Sequence, residues 1–276
     1  MELIVSIQGD LERGIKHLAF SSDGRYLAAI AADDRHTGAI YDWRALYDAQ
    51  NARERNNAKI AHGTTTRANV MAIGFTLDPD KPELVLACVK EINFINFLET
   101  GSMKCRRGIG WSRKSPHQTL LSLAFLQNDT ISGGYNGGLV IWNKRKIVQT
   151  FRAHQAAVTA LFTRDKGVGF ISGSNDNTVI VWDSDYTNLH KFDTSVKGIN
   201  SLNPKVRAVC ESPLGIIAVG LRGGEVVEFT EGKPHLITRS HFEGELWGIS
   251  PHPTKDEFVT IGQDNVFAVW SLTKRK

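Results

Sequence analysis

Short apolar runs closing on an aromatic recur along the chain: GAIYDW (38–43), INFINF (92–97), GLVIWN (138–143), TVIVWD (178–183), EVVEFT (225–230) and VFAVWS (266–271). With Tyr41, Phe97, Trp142, Trp182, Phe229 and Trp270 as markers, successive steps are 56, 45, 40, 47 and 41 residues. A period in the forties, divided into short strands, is the signature of radially repeated four-stranded blades. Each unit opens on a strand such as HLAF (17–20), SLAF (122–125) or TALF (159–162), followed by a turn such as Ser22-Asp23-Gly24. Glycine there takes a positive φ at little cost. A second strand (YLAAIA, ELVLACV, GFISGS, IIAVGL, EFVTIG), a tight polar turn and the aromatic strand come next. These strands are almost continuously apolar, as expected where both faces of a sheet are covered. A more polar segment such as IVQTFRAH (147–154) ends the unit.

The pattern predicts an all-β propeller occupying 1–276 as one domain, with six blades of four antiparallel strands at about 10–62, 63–116, 117–153, 154–203, 204–240 and 241–276. The stretch around Leu46–Lys59 reads as a loose helix or an insertion. Glu2–Gln8 reads as a spare strand and the sixth unit lacks a fourth, so the expectation is that the N-terminal strand closes the ring and removes an edge. The alternative is an open six-blade arc.

A polar spacing recurs with the period. His154, Ser172, Asp176 and Trp182 are separated by 18, 4 and 6 residues; His241, Thr260, Asp264 and Trp270 by 19, 4 and 6; His117, Ser132, Asn136 and Trp142 by 15, 4 and 6. A chain from indole N–H to hydroxyl, hydroxyl to imidazole and imidazole to carboxylate would satisfy each buried polar group in turn. Serine, histidine and aspartate together also suggest a catalytic triad. Repetition once per blade marks a structural network, and no catalytic residue is assigned.

Composition narrows the function. The chain is 41% hydrophobic and 22% charged, with no apolar run long enough to span a bilayer and no signal-peptide pattern, so a soluble cytoplasmic protein without a membrane association is expected. Cys88, Cys105 and Cys210 are too dispersed for a zinc site or a disulfide framework. A net charge of +4 is well short of a dedicated nucleic-acid binder. No phosphate-binding loop is present, and no cofactor, metal or small-molecule substrate is expected.

The residues also resemble a known family. GELWGISPHPTKDEFVTIGQDNVFAVW (244–270), with Leu246, Trp247, Gly248, His252 and Pro253, is similar to a recurring blade of the echinoderm microtubule-associated-protein-like family of WD-repeat propellers. Arg13-Gly14-Ile15, Asp33-Asp34 and Asp42-Trp43 match another of its blades, and CVKEINFIN (88–96) a third, with Asn96 where the family has tryptophan. The resemblance covers nearly the whole chain. The family's hydrophobic (HELP) motif, its N-terminal coiled coil and the second propeller of its tandem have no counterpart in this sequence. The resemblance implies a non-enzymatic protein-interaction scaffold with protein partners, tubulin or microtubules among them, located on the cytoskeleton or in a cilium or flagellum. The competing reading is a WD-repeat adaptor of another assembly, ciliary or ribonucleoprotein.

By register with WD-repeat proteins, partners dock on loops entering the first strand (Lys16, Met71, Ser122, Thr159, Arg207, Trp247) and on the turn after the second (Asp33, Val89, Tyr135, Asn175, Arg222, Gln263). Lys16, Tyr135, Arg207, Arg222 and Trp247 are the candidate face, being residue types that anchor interfaces or engage carboxylates. Two basic clusters, Lys104, Arg106, Arg107, Arg113 and Lys114, and Lys144-Arg145-Lys146, read as charges that blunt outer strands.

Overall fold

Strand β6 (Leu84–Cys88) shows how the chain is built. Its alternate residues Leu84, Leu86 and Cys88 enter one core cluster and Val85 and Ala87 another, and all five are buried. A strand with apolar side chains on both faces needs a neighbour on each side. The computed structural model supplies them as a succession of antiparallel sheets. It describes all residues except 1–10, 12, 49–57, 99–100, 114, 165–166, 197–198, 200, 213, 231, 239–245, 252–256, 266 and 272–276; the side chains of 46–47, 246–247, 249, 251, 257–258 and 270–271 also lie outside the description.

The first sheet is β1 (Ile15–Phe20), β2 (Tyr26–Ala31), β3 (Thr37–Asp42) and β4 (Lys59–Thr64); the second is β5 (Val70–Phe75), β6, β7 (Ile92–Ile95) and β8 (Cys105–Arg107). The third is β9 (Leu120–Phe125), β10 (Asp129–Gly134), β11 (Gly138–Asn143) and β12 (Lys146–Arg152); the fourth is β13 (Val158–Thr163), β14 (Gly169–Ser174), β15 (Thr178–Asp183) and β16 (Asn188–Asp193). The fifth is β17 (Val206–Glu211), β18 (Ile217–Leu221), β19 (Val226–Thr230) and β20 (Lys233–Thr238). The sixth has three strands among the described residues, β21 (Leu246–Pro251), β22 (Glu257–Gly262) and β23 (Phe267–Ser271). Residues 2–8, the expected closing strand, lie outside the described residues. Of the expected helix, α1 (Trp43–Asp48) is described, and Asp42 accepts the Ala45 N–H at 3.1 Å as its N-cap. No helix of the described residues is long and apolar enough to cross a membrane.

The first five sheets stack face to face in succession. Ala28, Ile30 and Ile40 pack against Phe75, Leu84 and Leu86; Phe94 against Trp142; Ile131 and Ile141 against Phe170 and Trp182; Ile171 and Val181 against Val206 and Val219. The aromatic of the third strand thus faces the preceding sheet. Side chains of the innermost strands also reach the carbonyl that begins the next innermost strand: His17 to Val70 (2.9 Å), Ser122 to Val158 (3.0 Å) and Thr159 to Val206 (2.6 Å). Arg164 adds a forked pair to Glu211 between the fourth and fifth sheets, the closest contact being 2.8 Å.

The two terminal sheets differ from the others. Leu18 and Phe20 on β1 are 61% and 54% exposed, and Ile261, Phe267 and Val269, which share one face of the sixth sheet, are 49%, 65% and 57% exposed.

The fourth and fifth sheets approach closely at Gly173, where a Cβ would lie 2.4 Å from Val206 Cγ1 and 2.9 Å from Val209 Cγ1. Gly173→Ala is expected to cost about 1–3 kcal/mol by overpacking. In urea denaturation, Val206→Ala and Gly173→Ala together should cost less than the sum of the two singly, because the shortened side chain makes room. Strict additivity would show that the two sheets do not press together here.

Candidate functional site

The fourth sheet carries the expected network whole. Trp182 Nε1–H donates to Ser172 Oγ at 2.8 Å, and Ser172 Oγ lies 2.7 Å from His154 Nε2. His154 Nδ1 lies 3.2 Å from Asp176 Oδ2 and 2.9 Å from Thr178 Oγ1. With Nδ1 protonated, every member is satisfied: indole to hydroxyl, hydroxyl to Nε2, Nδ1–H to carboxylate. Asp176 also accepts the N–H groups of Gln155 (2.8 Å) and Thr178 (3.0 Å), so one carboxylate pins both the loop before β13 and the turn after β14. Burial pushes the His154 ring below the ordinary histidine value, outweighing the pull of Asp176. Burial would raise Asp176, but the Thr178 hydroxyl, the Gln155 amide and His154 hold its carboxyl below the usual range. The connectivity matches that of a catalytic triad, yet Ser172 is fully buried, its oxygen held between indole and imidazole, with no room for a substrate carbonyl.

The third sheet departs from expectation. Trp142 Nε1–H donates to Ser132 Oγ at 2.9 Å, but His117 is not in the network: it is exposed, bonds the Lys90 carbonyl at 3.0 Å and stacks on Trp111 at 4.7 Å. Asn136 turns back to accept the Gly138 N–H at 2.8 Å. The reason is a one-residue slip. The residues paired with the network serines are Leu161 and Leu123; His154 lies seven positions before the first, His117 six before the second. The expected face residue Ser122 slips with it, since the bulged position is Leu121 and Ser122 is buried between sheets. In the sixth sheet Thr260 and Asp264 are buried and partnered, while His241 and the Trp270 side chain lie outside the described residues.

Two ties were not expected. Thr66, four residues before β5 as His154 is before β13, donates to Glu91 at 2.7 Å, and Glu91 also accepts from Asn93 at 2.8 Å. Ser201 donates to buried Glu225 at 2.7 Å. A hydroxyl–carboxylate pair thus replaces imidazole–carboxylate in the second and fifth sheets. The carboxylates stand at the start of the third strand rather than in the turn, which hid them from a search by spacing. The tryptophan registers of these sheets hold Ile95 and Phe229, and of the first Tyr41.

Every innermost strand has a register shift near its start, at Lys16, Met71, Leu121, Thr159, Arg207 and Trp247. A bulge re-aims the extra residue away from the ladder. Beside the first five, a backbone N–H from the turn after the second strand bonds back to the loop entering the first: Ala32 to Gly14, Val89 to Asn69, Tyr135 to Thr119, Asn175 to Ala157 and Arg222 to Lys205. Both candidate sets therefore stand at the same end of their sheets. Arg207 and Arg222, both exposed, share one corner of the fifth sheet. Tyr135, 69% exposed, borders a groove of about 680 Å³ with Gln118, Asn136, Arg152 and Gln155. Lys16 is exposed but its amine donates to Asn69 of the second sheet. The Trp247 side chain lies outside the described residues. Burial pushes the Cys88 and Cys105 thiols up to about 12, and Cys210 is exposed. Among the described residues no group of His, Cys, Asp and Glu is placed to hold a metal ion.

The model of the WD domain, G-beta repeat, matches residues 145–183, the span that holds His154, Ser172, Asp176 and Trp182. Sheet order, network and inter-sheet packing define the chain as a WD-repeat β-propeller. It is similar along 95% of its length to echinoderm microtubule-associated protein-like 2 of Mus musculus, 29% identical over 273 residues, and to echinoderm microtubule-associated protein-like 1 of Rattus norvegicus, 27% identical over 269 residues. The chain spans 38% and 31% of the length of these relatives. Among solved structures, the Cps50 (Swd1) β-propeller domain of Myceliophteria thermophila superposes with a TM-score of 0.62 at 14% identity, over 94% of this chain and 83% of that one. A chain in the crystal structure of the mitotic checkpoint complex does so at 0.57 and 16%, over 92% and 72%. These two likenesses concern the fold.

Ser172→Ala leaves the Trp182 N–H and His154 Nε2 unpaired and should cost about 2–4 kcal/mol, whereas Ser132→Ala orphans the Trp142 N–H and should cost about 1–2. Equal losses in urea denaturation would contradict the different connectivity of the two sheets. Stability should also depend on pH. The folded state binds a proton at His154 more weakly than the unfolded chain, so its contribution is complete above the unfolded value of 6.5 and is lost as pH falls through 6.5 toward the lowered folded value. His17, lowered chiefly by burial, acts in the same sense. His154→Gln should lower the thermal midpoint at neutral pH and flatten its decline on acidification; a variant declining as steeply as the parent would refute the assignment.

Proposed function

We propose that the chain is a non-enzymatic interaction scaffold that associates with microtubules in the cytoplasm. The observation that carries this reading is similarity along 95% of the chain to proteins named as microtubule-associated. The WD-repeat fold supports the coarser part, a protein-interaction scaffold. The site chemistry is compatible: Arg207 and Arg222 present two exposed guanidinium groups at one corner, and Tyr135 adds an exposed aromatic on the same end of the sheets. Such groups suit the carboxylate-rich surface of an acidic protein. The burial of Ser172 and His154 supports a structural role for the triad-like arrangement of the fourth sheet.

Co-sedimentation with purified microtubules tests the proposal. The chain should pellet at low salt, less at higher salt, and Arg207→Glu/Arg222→Glu should weaken the association about tenfold or more. Absence of salt-sensitive pelleting by the folded chain would remove the cytoskeletal part and leave a WD-repeat adaptor of another assembly.

A further inference from the structure

Two basic stretches that are separate in the sequence meet at the outer rim of the second and third sheets. Ile109, just past β8, forms a parallel bridge with Lys146 at the start of β12. Its N–H donates to the Arg145 carbonyl at 2.7 Å, and its carbonyl accepts the Ile147 N–H at 3.0 Å. Arg145 adds a guanidinium bond to the Arg107 carbonyl at 3.3 Å. The junction joins the stretch that carries Lys104, Arg106 and Arg107 to the one that carries Lys144, Arg145 and Lys146.

These cations are not equivalent. Arg107 is paired with Glu91 at 3.1 Å. Arg106 stands opposite Phe94, whose ring packs toward Trp142, so it lies on the side of β8 that faces the third sheet. Lys144 holds the tip of a two-residue hairpin at φ 52, a left-handed conformation that costs a non-glycine residue roughly 1 kcal/mol. Lys104, Arg106, Lys144 and Lys146 are exposed. Among the described residues neither they nor Arg145 have a carboxylate at ion-pair distance.

Protection of an exposed strand edge does not account for the cluster, because Ile109 already occupies the outer edge of β12 at this end. Solubility is served by mixed charge rather than by one sign gathered in one place. Like charges gathered on one surface repel one another even in water, and a bound anion relieves that repulsion.

We propose that this junction is a docking site for an acidic protein segment, a run of glutamate or aspartate side chains laid across the seam between the second and third sheets. Arg106 and Arg145 supply forked donors for carboxylates, and Lys104, Lys144 and Lys146 flank them as point charges. A peptide fits better than a nucleic acid. Single strands bind through aromatic platforms, and Trp111, the aromatic of this region, is already stacked on His117 with its edge toward Trp142. The surface lies on different sheets from Arg207 and Arg222 and does not depend on the microtubule reading.

Fluorescence anisotropy of a labelled oligoglutamate peptide against the full chain tests this at about 0.05 and 0.15 M salt. Binding should weaken with salt and fall about tenfold or more in Lys104→Glu/Arg106→Glu/Lys144→Glu, while Lys191→Glu/Lys233→Glu, at two exposed cations outside both surfaces, should keep it within about twofold. Circular dichroism confirms folding, and Lys104→Gln/Arg106→Gln/Lys144→Gln repeats the test without introducing negative charge. No binding at low salt, binding unchanged by both triple variants, or tighter binding of an oligouridine of equal length would each overturn the proposal.

Discussion

A sheet whose two faces are both apolar cannot stand alone in water, and that constraint shapes the rest of this molecule. In β6 alternate residues go to opposite cores, so the strand is stable only between a first and a third sheet. The same demand passes to each neighbour and generates a succession of sheets rather than a sandwich. It also sets how near the sheets come, which is why Gly173 sits where a methyl group would meet Val206. The exposed apolar faces at Leu18 and Phe20 and at Ile261, Phe267 and Val269 are the same kind of surface at the two ends of the succession.

Apolar packing alone would let the sheets slide. Polar ties fix them, and the chain makes one tie with different chemistry in different sheets. The turn after the second strand must be fastened to the loop entering the first; among the described residues a backbone bond does this in five sheets, reinforced by a carboxylate in three of them. Asp176 with His154, Glu91 with Thr66 and Glu225 with Ser201 are solutions to the same geometric problem. Fastening that corner also holds the bulge beside it.

The molecule carries positive charge on two surfaces of different construction. One is the end of the sheets, where Arg207 and Arg222 are set by a bulge and a turn. The other is the rim, where a single residue, Ile109, joins two basic stretches by backbone pairing.

Order along the chain was legible in the residues themselves. Strand periodicity, glycine turns and the recurring aromatic are local features, so six units, their strand order and the intact quartet of the fourth sheet could be read from spacing. Spacing failed where a loop's conformation is decided by a partner distant in sequence. His117 has the right type at nearly the right interval, but one residue of slip gives its ring to the Lys90 carbonyl and Trp111 of the region beside it. Thr66 with Glu91 and the bridge at Ile109 carry no sequence signal, because hydroxyls and apolar residues are common and their pairing exists once the sheets are stacked. The residues alone determined which segments are strands and which faces are apolar, through the period of two imposed by the pleat. Tertiary structure decided which polar groups meet and which charges are left unpaired, since these depend on distances between sheets that no local pattern encodes.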